Sequence, residues 1–268
     1  MLDAIRPKTP KIIAIANQKG GVGKTTTAIN LGAALVDDGY NVLLVDLDPQ
    51  GNASTGLGIE PDERTHTTYD LLLEDSELED VILPTDIDGF WIAPATTDLS
   101  SADIEMVANE KRSFLLHDAL RQPAIDRYNL DYILIDCPPS LSLLTVNAMV
   151  AAHSVLVPLQ SEFFALEGLS QLMRTIDAVK AGLNGALSMQ GIVLTMFDSR
   201  NKLSAMVAND VRDHFGELVY NTVVPRNVRV SEAPSFGQPV LIYDLKCPGS
   251  QAYAALAAEL LRQEAKAA

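Results

Sequence analysis

The apolar run Ile12-Ile13-Ala14-Ile15-Ala16 passes through Asn17-Gln18 into Lys19-Gly20-Gly21-Val22-Gly23-Lys24-Thr25-Thr26, and this junction restricts the folds open to the chain more than any other stretch. A strand that empties into a glycine-rich loop ending in Gly-Lys-Thr is the layout of a nucleoside-triphosphate cradle. Glycines let the backbone turn its N–H groups onto phosphate oxygens, and the N-terminus of the following helix adds partial positive charge. In that layout Lys24 reaches the β- and γ-phosphates and the Thr25 hydroxyl holds Mg²⁺. The strict spacing G-x-x-x-x-G-K-[ST] is not met, because Gln18 stands where its first glycine belongs. A glycine pair and a second lysine, Lys19, take its place. Since one lysine already serves the bound phosphates, Lys19 is either a solvated loop lysine or projects outward to a neighbouring subunit's nucleotide.

At 268 residues and 47% apolar, the chain can bury a full core and fits one large α/β domain. We expect an N-terminal extension over 1–10 and a single P-loop domain over 11–268. Residues 1–11 are polar and proline-bearing, without the apolar stretch of a signal peptide. No apolar run approaches the ~18 residues of a membrane-spanning helix. Two cysteines are too few for a disulfide framework, so a reduced, cytoplasmic protein is expected. The formal charge of −15 argues at first against a nucleic-acid partner. Its distribution matters, however: residues 65–110 hold 12 Asp/Glu and no Lys or Arg, leaving 20 Lys+Arg against 35 − 12 = 23 Asp+Glu elsewhere. The acidity is mostly one segment, for which solubility is the plainest account, and a basic surface elsewhere remains open.

Apolar, β-rich runs recur between helical patterns, which indicates βαβ units and a doubly wound, mostly parallel sheet with helices on both faces. The expected strands are 11–17, 41–46, 89–93, 130–136, 154–159, 187–196 and 218–223. Several are almost continuously apolar, as Val42-Leu43-Leu44-Val45 is, which suits strands covered on both sides. Helical patterns fill 25–38, 141–151, 166–181, 203–215 and 250–265. Neither an internal repeat nor a low-complexity linker is present.

Ligands of such sheets sit at the carboxyl ends of strands. There Asp46 closes one strand ahead of Leu47-Asp48-Pro49-Gln50-Gly51-Asn52, and Asp136 closes another ahead of Cys137-Pro138-Pro139-Ser140. An acid ending an apolar strand beside a P-loop is placed to bind Mg²⁺ directly or through water; alone, either aspartate also reads as a turn or cap residue. Asp48, two residues beyond its strand in a Pro-Gln-Gly turn, is the acid expected to orient the attacking water. Gln50 is a weaker candidate for the same task. Cys137 reads as a packed core thiol, and the four histidines lack metal-ligand spacing.

The combination N-Q-K-G-G-V-G-K-T-T-T, D-L-D-P-Q-G-N, I-D-C-P-P-S, E-F-F-A-L-E-G and V-P-R-N-V-R-V-S-E-A-P-S-F-G-Q-P resembles the ParA/Soj chromosome-partitioning ATPases over nearly the whole chain. The P-loop alone marks the wider deviant-Walker group, which includes MinD-like members; the last two blocks narrow it. The resemblance implies that Lys19 is the signature lysine crossing a nucleotide-sandwich homodimer and Lys24 the phosphate-binding lysine. Thr25 and Asp136 would hold Mg²⁺, and Asp48 would serve hydrolysis at the metal's edge. Gly20, Gly21, Val22, Gly23 and Thr26 would complete the ATP cradle, with Met196, Pro225 and Asn227 bordering the adenine. It further implies that the ATP-bound dimer binds double-stranded DNA without sequence preference, placing the protein on the nucleoid. Hydrolysis stimulated by a ParB-type centromere-binding partner would release it. Arg200 and Arg229 are the candidates for DNA contact, with Lys202, Arg212 and Lys246 less secure. No region for reading operator DNA precedes the P-loop, so sequence-specific binding is not expected.

Two rival readings share the nucleotide chemistry. A membrane-positioning ATPase of the MinD kind would need a basic amphipathic C-terminal helix with bulky apolar anchors. The tail from Ala252 to Lys266 is alanine-rich and balanced in charge, and reads instead as a helix packed on the domain. An ATPase that positions a protein cargo is not separable by sequence alone.

Overall fold

Strands that alternate side chains to two faces, each face apolar, must be covered by helices on both sides. The computed structural model builds such a sandwich, and it describes residues 9–267 apart from Asp75, Phe163 and Phe164. Most of the expected 1–10 extension and the two phenylalanines of the E-F-F-A-L-E-G block therefore lie outside the described residues. The strands are β1 (Lys11–Ile15), β2 (Val42–Asp46), β3 (Leu83–Pro84), β4 (Phe90–Ala93), β5 (Tyr132–Asp136), β6 (Ser154–Gln160), β7 (Ser188–Phe197) and β8 (Val219–Pro225). They form one sheet in the order β3-β4-β2-β5-β1-β6-β7-β8. Every pairing is parallel except β3 with β4. All seven expected strands are present within a few residues, and the doubly wound α/β class is the observed one.

The helices are α1 (Lys24–Asp37), α2 (Asn52–Gly56), α3 (Thr68–Leu73), α4 (Leu78–Val81), α5 (Leu99–Glu105), α6 (Leu115–Ala119), α7 (Leu143–Ala151), α8 (Ala165–Gly182), α9 (Lys202–Phe215), α10 (Val228–Glu232), α11 (Val240–Tyr243) and α12 (Pro248–Ala267). The alternation along each strand assigns them to faces. Ile13, Ile15, Leu44 and Leu134 pack with α1 and α12 through Leu31, Leu35, Tyr253 and Leu256. Ile12, Leu43, Ile133 and Ile135 pack with α3 to α9 through Leu71, Leu99, Leu144 and Leu169. The acidic stretch 65–110 thus contributes Leu71, Leu72, Leu78, Val81, Leu99 and Met106 to the second face. It is a structural part of that layer, beyond any effect on solubility.

This strand order sets up the site. β5 lies between β2 and β1, with Asp136 in register with Ile15 on one side and Asp46 on the other. The carboxyl ends of three adjacent strands therefore bring the glycine loop, Asp136 and the turn after Asp46 together.

Candidate active site

The loop after β1 is anchored at both ends. Asn17 donates from Nδ2 to the Pro158 carbonyl at 2.7 Å and accepts the Lys19 N–H at 3.0 Å, which ties the entrance to β6. At the far side the Thr195 hydroxyl donates to the Val22 carbonyl at 2.7 Å, which ties the loop to β7. Gly21 and Gly23 have φ of 72° and 88°. Gly23 is the residue from which α1 starts, and a left-handed residue there turns the chain so that the first amides of α1 face the loop's hollow. The helix's first residue is Lys24, buried at 6% exposure, whose Nζ folds back to the Lys19 carbonyl at 3.2 Å. Burial pushes its pKa down, while the neighbouring Asp136, Cys137 and Asp48 oppose the shift.

Asp136 lies beside Lys24 and Thr25 at the end of β5, fully buried. Among the described residues neither carboxyl oxygen has a formed hydrogen bond. Burial, and then the charge of Asp46, push its pKa well up; the nearby Thr25 hydroxyl and Lys24 ammonium work the other way. Asp46 is equally buried but fully engaged. Its Oδ2 accepts the Ser54 N–H at 3.0 Å and the Ser54 hydroxyl at 2.8 Å, and its Oδ1 accepts the Asp48 N–H at 3.2 Å. Burial raises its pKa to about 6 against those hydrogen bonds. Both acids close apolar strands, but only Asp136, the one that the family resemblance assigns to Mg²⁺, has oxygens free of hydrogen bonds.

Asp48 is 8% exposed and begins a tight turn, with the Gln50 N–H on its Oδ1 at 3.0 Å and the Gly51 N–H on its carbonyl at 2.9 Å. Gln50, the weaker candidate for orienting water, lies in this turn two residues on. The structure therefore gathers Lys24, Thr25, Asp48 and Asp136 around one hollow. Lys19 points away from it: its Nζ pairs with Glu162 Oε2 at 2.5 Å beside a cleft of about 230 Å³ lined by Asn17, Val22, Ala165 and Gln171. Cys137, in the Asp136-Cys137 step, is fully buried, and burial pushes its thiol pKa up, which suits a packed core residue.

Met196 lies at the end of β7, and Pro225 and Asn227 at and just beyond the end of β8. Pro225 pairs with Phe197, and the Arg226 N–H reaches the Phe197 carbonyl at 3.1 Å. Met196 has φ of 49°, an uncommon conformation for a residue with a side chain. Its Cε lies 3.8 Å from where a Cβ on Gly23 would stand, so it borders the glycine loop. Asn227 caps α10, its Oδ1 accepting the Arg229 N–H at 2.9 Å.

The candidate DNA-contact residues fall in two small groups, one after β7 and one between α10 and the start of α12. Arg200, 88% exposed, makes a two-point pair with Asp198 at 2.9 Å for each bond, close to Lys202 at the start of α9. Arg229 pairs with Glu232 at 2.9 Å and Asp244 at 3.5 Å, and Asp244 also accepts the Lys246 N–H at 3.2 Å. Among the described residues Lys202, Arg212 and Lys246 make no ion pair.

A glycine loop of this shape, bridging the central strand and first helix of a parallel sheet with an acid on the adjacent strand, defines a P-loop nucleotide-binding protein. Comparison with known proteins narrows the class. Residues 10–189 match the AAA domain family. The chain is 60% identical over 255 residues to the chromosome partitioning protein ParA of Caulobacter vibrioides, covering 95% of each. It is 50% identical over 250 residues to the sporulation initiation inhibitor protein Soj of Bacillus subtilis, covering 93% of this chain and 98% of Soj. The solved structure of cobyrinic acid a,c-diamide synthase from Mycobacterium smegmatis, with a bound ATP analogue and magnesium, has a TM-score of 0.83 at 38% identity, covering 97% of this chain and 98% of that one. This chain belongs to the ParA/Soj family of chromosome-partitioning P-loop ATPases, as its sequence motifs imply.

Several residues that shape the site escaped sequence reading: Ser54, Glu162, Thr195 and Arg64. Ser54, Thr195 and Arg64 stand in no motif whose spacing would have marked them, and Glu162 opens the E-F-F-A-L-E-G block, which gives no hint of its pairing with Lys19.

Proposed function

We propose that ATP binding closes two copies of this chain over two nucleotides and that the closed dimer binds duplex DNA without sequence preference. Hydrolysis, stimulated by a ParB-type centromere-binding protein, then releases it. The observation that carries the reading is the Asp136 carboxyl. A buried acid with both oxygens unpartnered destabilises the fold unless something else engages it. Its position beside Thr25 and Lys24 fits Mg²⁺, which takes one or two protein oxygens and completes its shell with water and phosphate oxygens. Thr25 and Asp136 would hold the ion, with Asp48 at its edge. Bound there, it would neutralise charge on the phosphates.

The chain's own residues supply the rest. Amides of Gly20 to Thr26 and the Lys24 ammonium hold the β- and γ-phosphates. Asp48 orients the attacking water, and Lys19 leaves Glu162 to reach the other copy's nucleotide, where a cation stabilises the transferring phosphoryl group. Met196, Pro225 and Asn227 border the adenine. Arg200, Lys202, Arg229 and Lys246 from two copies form the DNA face, which would hold the ATP state on the nucleoid within the cytoplasm. The names of the two ParA/Soj relatives and the ATP analogue and magnesium in the M. smegmatis structure support this cycle.

The apolar side of α12 is already used: Tyr253, Leu256, Ala257 and Leu260 are buried in the core. Among the described residues no helix is long and apolar enough to cross a membrane. The C-terminal helix therefore does not favour the MinD-like alternative.

Binding to a random-sequence duplex with ATP, with ADP and without nucleotide tests the proposal. Binding only with ATP is expected, with Asp48→Ala prolonging the bound state and Lys24→Ala abolishing it. Equal binding in all three conditions would refute the switch.

A further inference from the structure

Arg64 is the only Lys or Arg between Lys24 and Lys111, and its guanidinium is spent entirely within the fold. Nε and Nη2 donate to the Ile59 carbonyl at 3.2 and 2.6 Å, Nη2 to the Thr55 hydroxyl at 2.7 Å, and Nη1 to the Ala95 carbonyl at 3.1 Å. Ala95 follows β4, so the side chain spans from the segment after β2 to the carboxyl edge of the neighbouring strand. Thr55 in turn donates to the Gly51 carbonyl at 3.1 Å, and the Gly51 N–H closes the Asp48 turn at 2.9 Å. The guanidinium also lies against the turn itself. A Cβ added to Gly51, whose φ is 61°, would stand 2.5 Å from Arg64 Nη1 and 2.8 Å from the Ala95 oxygen. Arg64, Thr55, Gly51 and Asp48 are thus a continuous chain of contacts that ends at the acid assigned to water orientation.

We propose that Arg64 is a positioning residue for ATP hydrolysis: its fork of donors fixes the far end of the Asp48 turn against the sheet, and so fixes where the Asp48 carboxylate stands. This inference rests on the reading of Asp48 as the water-orienting acid. Arginine suits the task because a planar fork can bridge two carbonyls and a hydroxyl from different elements, which a lysine's single point charge cannot. Arg64, Thr55 and Gly51 make no hydrogen bond to the glycine loop or Lys24, and only the Asp48 end of the chain approaches Lys24, so the expected effect falls on turnover more than on nucleotide affinity. Misplacing a reacting group by about 1 Å costs on the order of 100-fold in rate.

The test measures two quantities in the full chain: phosphate release from ATP with saturating random-sequence duplex DNA, and affinity for a fluorescent methylanthraniloyl-ATP. For Arg64→Gln and Arg64→Lys the expected result is a turnover lowered about 10- to 100-fold with affinity within about twofold of wild type. The ATP-held dimer should accumulate, as is expected for Asp48→Ala. Thr55→Val, which removes one link and leaves the guanidinium in place, should show the same split at about two- to fivefold and serves if the Arg64 variants do not fold. Wild-type turnover in Arg64→Gln beside a slow Asp48→Ala overturns this inference alone. Turnover and affinity falling together would show general disruption and also overturn it. Wild-type turnover in Asp48→Ala would instead remove the assignment of Asp48, and this inference with it.

Discussion

Asp46 and Asp136 close adjacent strands in register, each buried completely, yet their environments divide the work between them. Ser54 and the Asp48 amide saturate Asp46, which makes it a brace for the turn that follows. Asp136 receives no such support, and the protein carries the cost of keeping it. Asp136→Asn should therefore stabilise the metal- and nucleotide-free protein by about 1–3 kcal/mol, less what the buried Lys24 loses with its neighbouring charge, because a neutral amide is cheaper to bury than a carboxyl with neither oxygen hydrogen-bonded. Magnesium-dependent ATP binding should be lost in the same variant. Urea unfolding without ligand, beside thermal shift with ATP and magnesium, checks both halves; a destabilised apo protein would mean that the carboxylate has a structural partner. Their position after apolar runs does not rank the two acids, and only the family resemblance singles out Asp136. What separates them is Ser54, eight residues beyond Asp46, folded back onto it by α2.

Among the elements, β8 shows how a side chain can repair an imperfect ladder. Between Ile192 and Leu194 the β7 strand advances two residues while β8 advances from Val219 to Val223, so the Asn221 and Thr222 amides fall out of the pairing. Glu259 on α12 takes both, at 2.8 Å each, and the Asn221 side chain at 3.1 Å. Burial alone would raise the Glu259 pKa, but the hydrogen bonds from Thr222 and Asn221 outweigh it and the net shift is downward. A carboxylate with a depressed folded-state pKa contributes stability above its unfolded value, about 4.3, and loses it as pH falls through the folded value. Glu259→Gln should accordingly cost about 1–3 kcal/mol near pH 7 and much less near pH 3. Urea titrations at the two pH values decide it, since an equal cost at both would exclude the charge as the cause. Elements differ in how plainly the sequence announces them. The central strands run apolar because both faces are covered, and α1, α8, α9 and α12 are long enough to display a helical period. By contrast α3, α5 and α6 span 6, 7 and 5 residues, too few for periodicity to register. The two-residue β3, which contains Pro84, gives no strand signal at all. The acidic stretch thus reads as a surface when its apolar half is core.

At the scale of the whole molecule, a net charge of −15 repels DNA, so attraction must come from a local surface and from more than one copy. Arg200 and Arg229 are both held by acids of their own chain, and those acids compete with phosphate for them. If Arg229 belongs to the DNA face of an ATP-held dimer, its loss removes two contacts at once. Arg229→Ala should then lower the steepness of log affinity against log salt by about 1.8, or 0.9 for each copy. Glu232→Gln should do the reverse of a loss. Taking away one of the two acids that hold Arg229, with Asp244 still in place, should raise affinity for a random duplex by about 1.4- to fivefold per copy. Both effects should appear only with ATP, and fluorescence anisotropy over a salt series in the Asp48→Ala background would read them. Unchanged affinity and slope in both variants would place Arg229 off the DNA face and leave Arg200, Lys202 and Lys246 to carry it. Affinity that rises in Glu232→Gln without nucleotide would show instead that a single copy suffices, which the charge balance of the chain argues against.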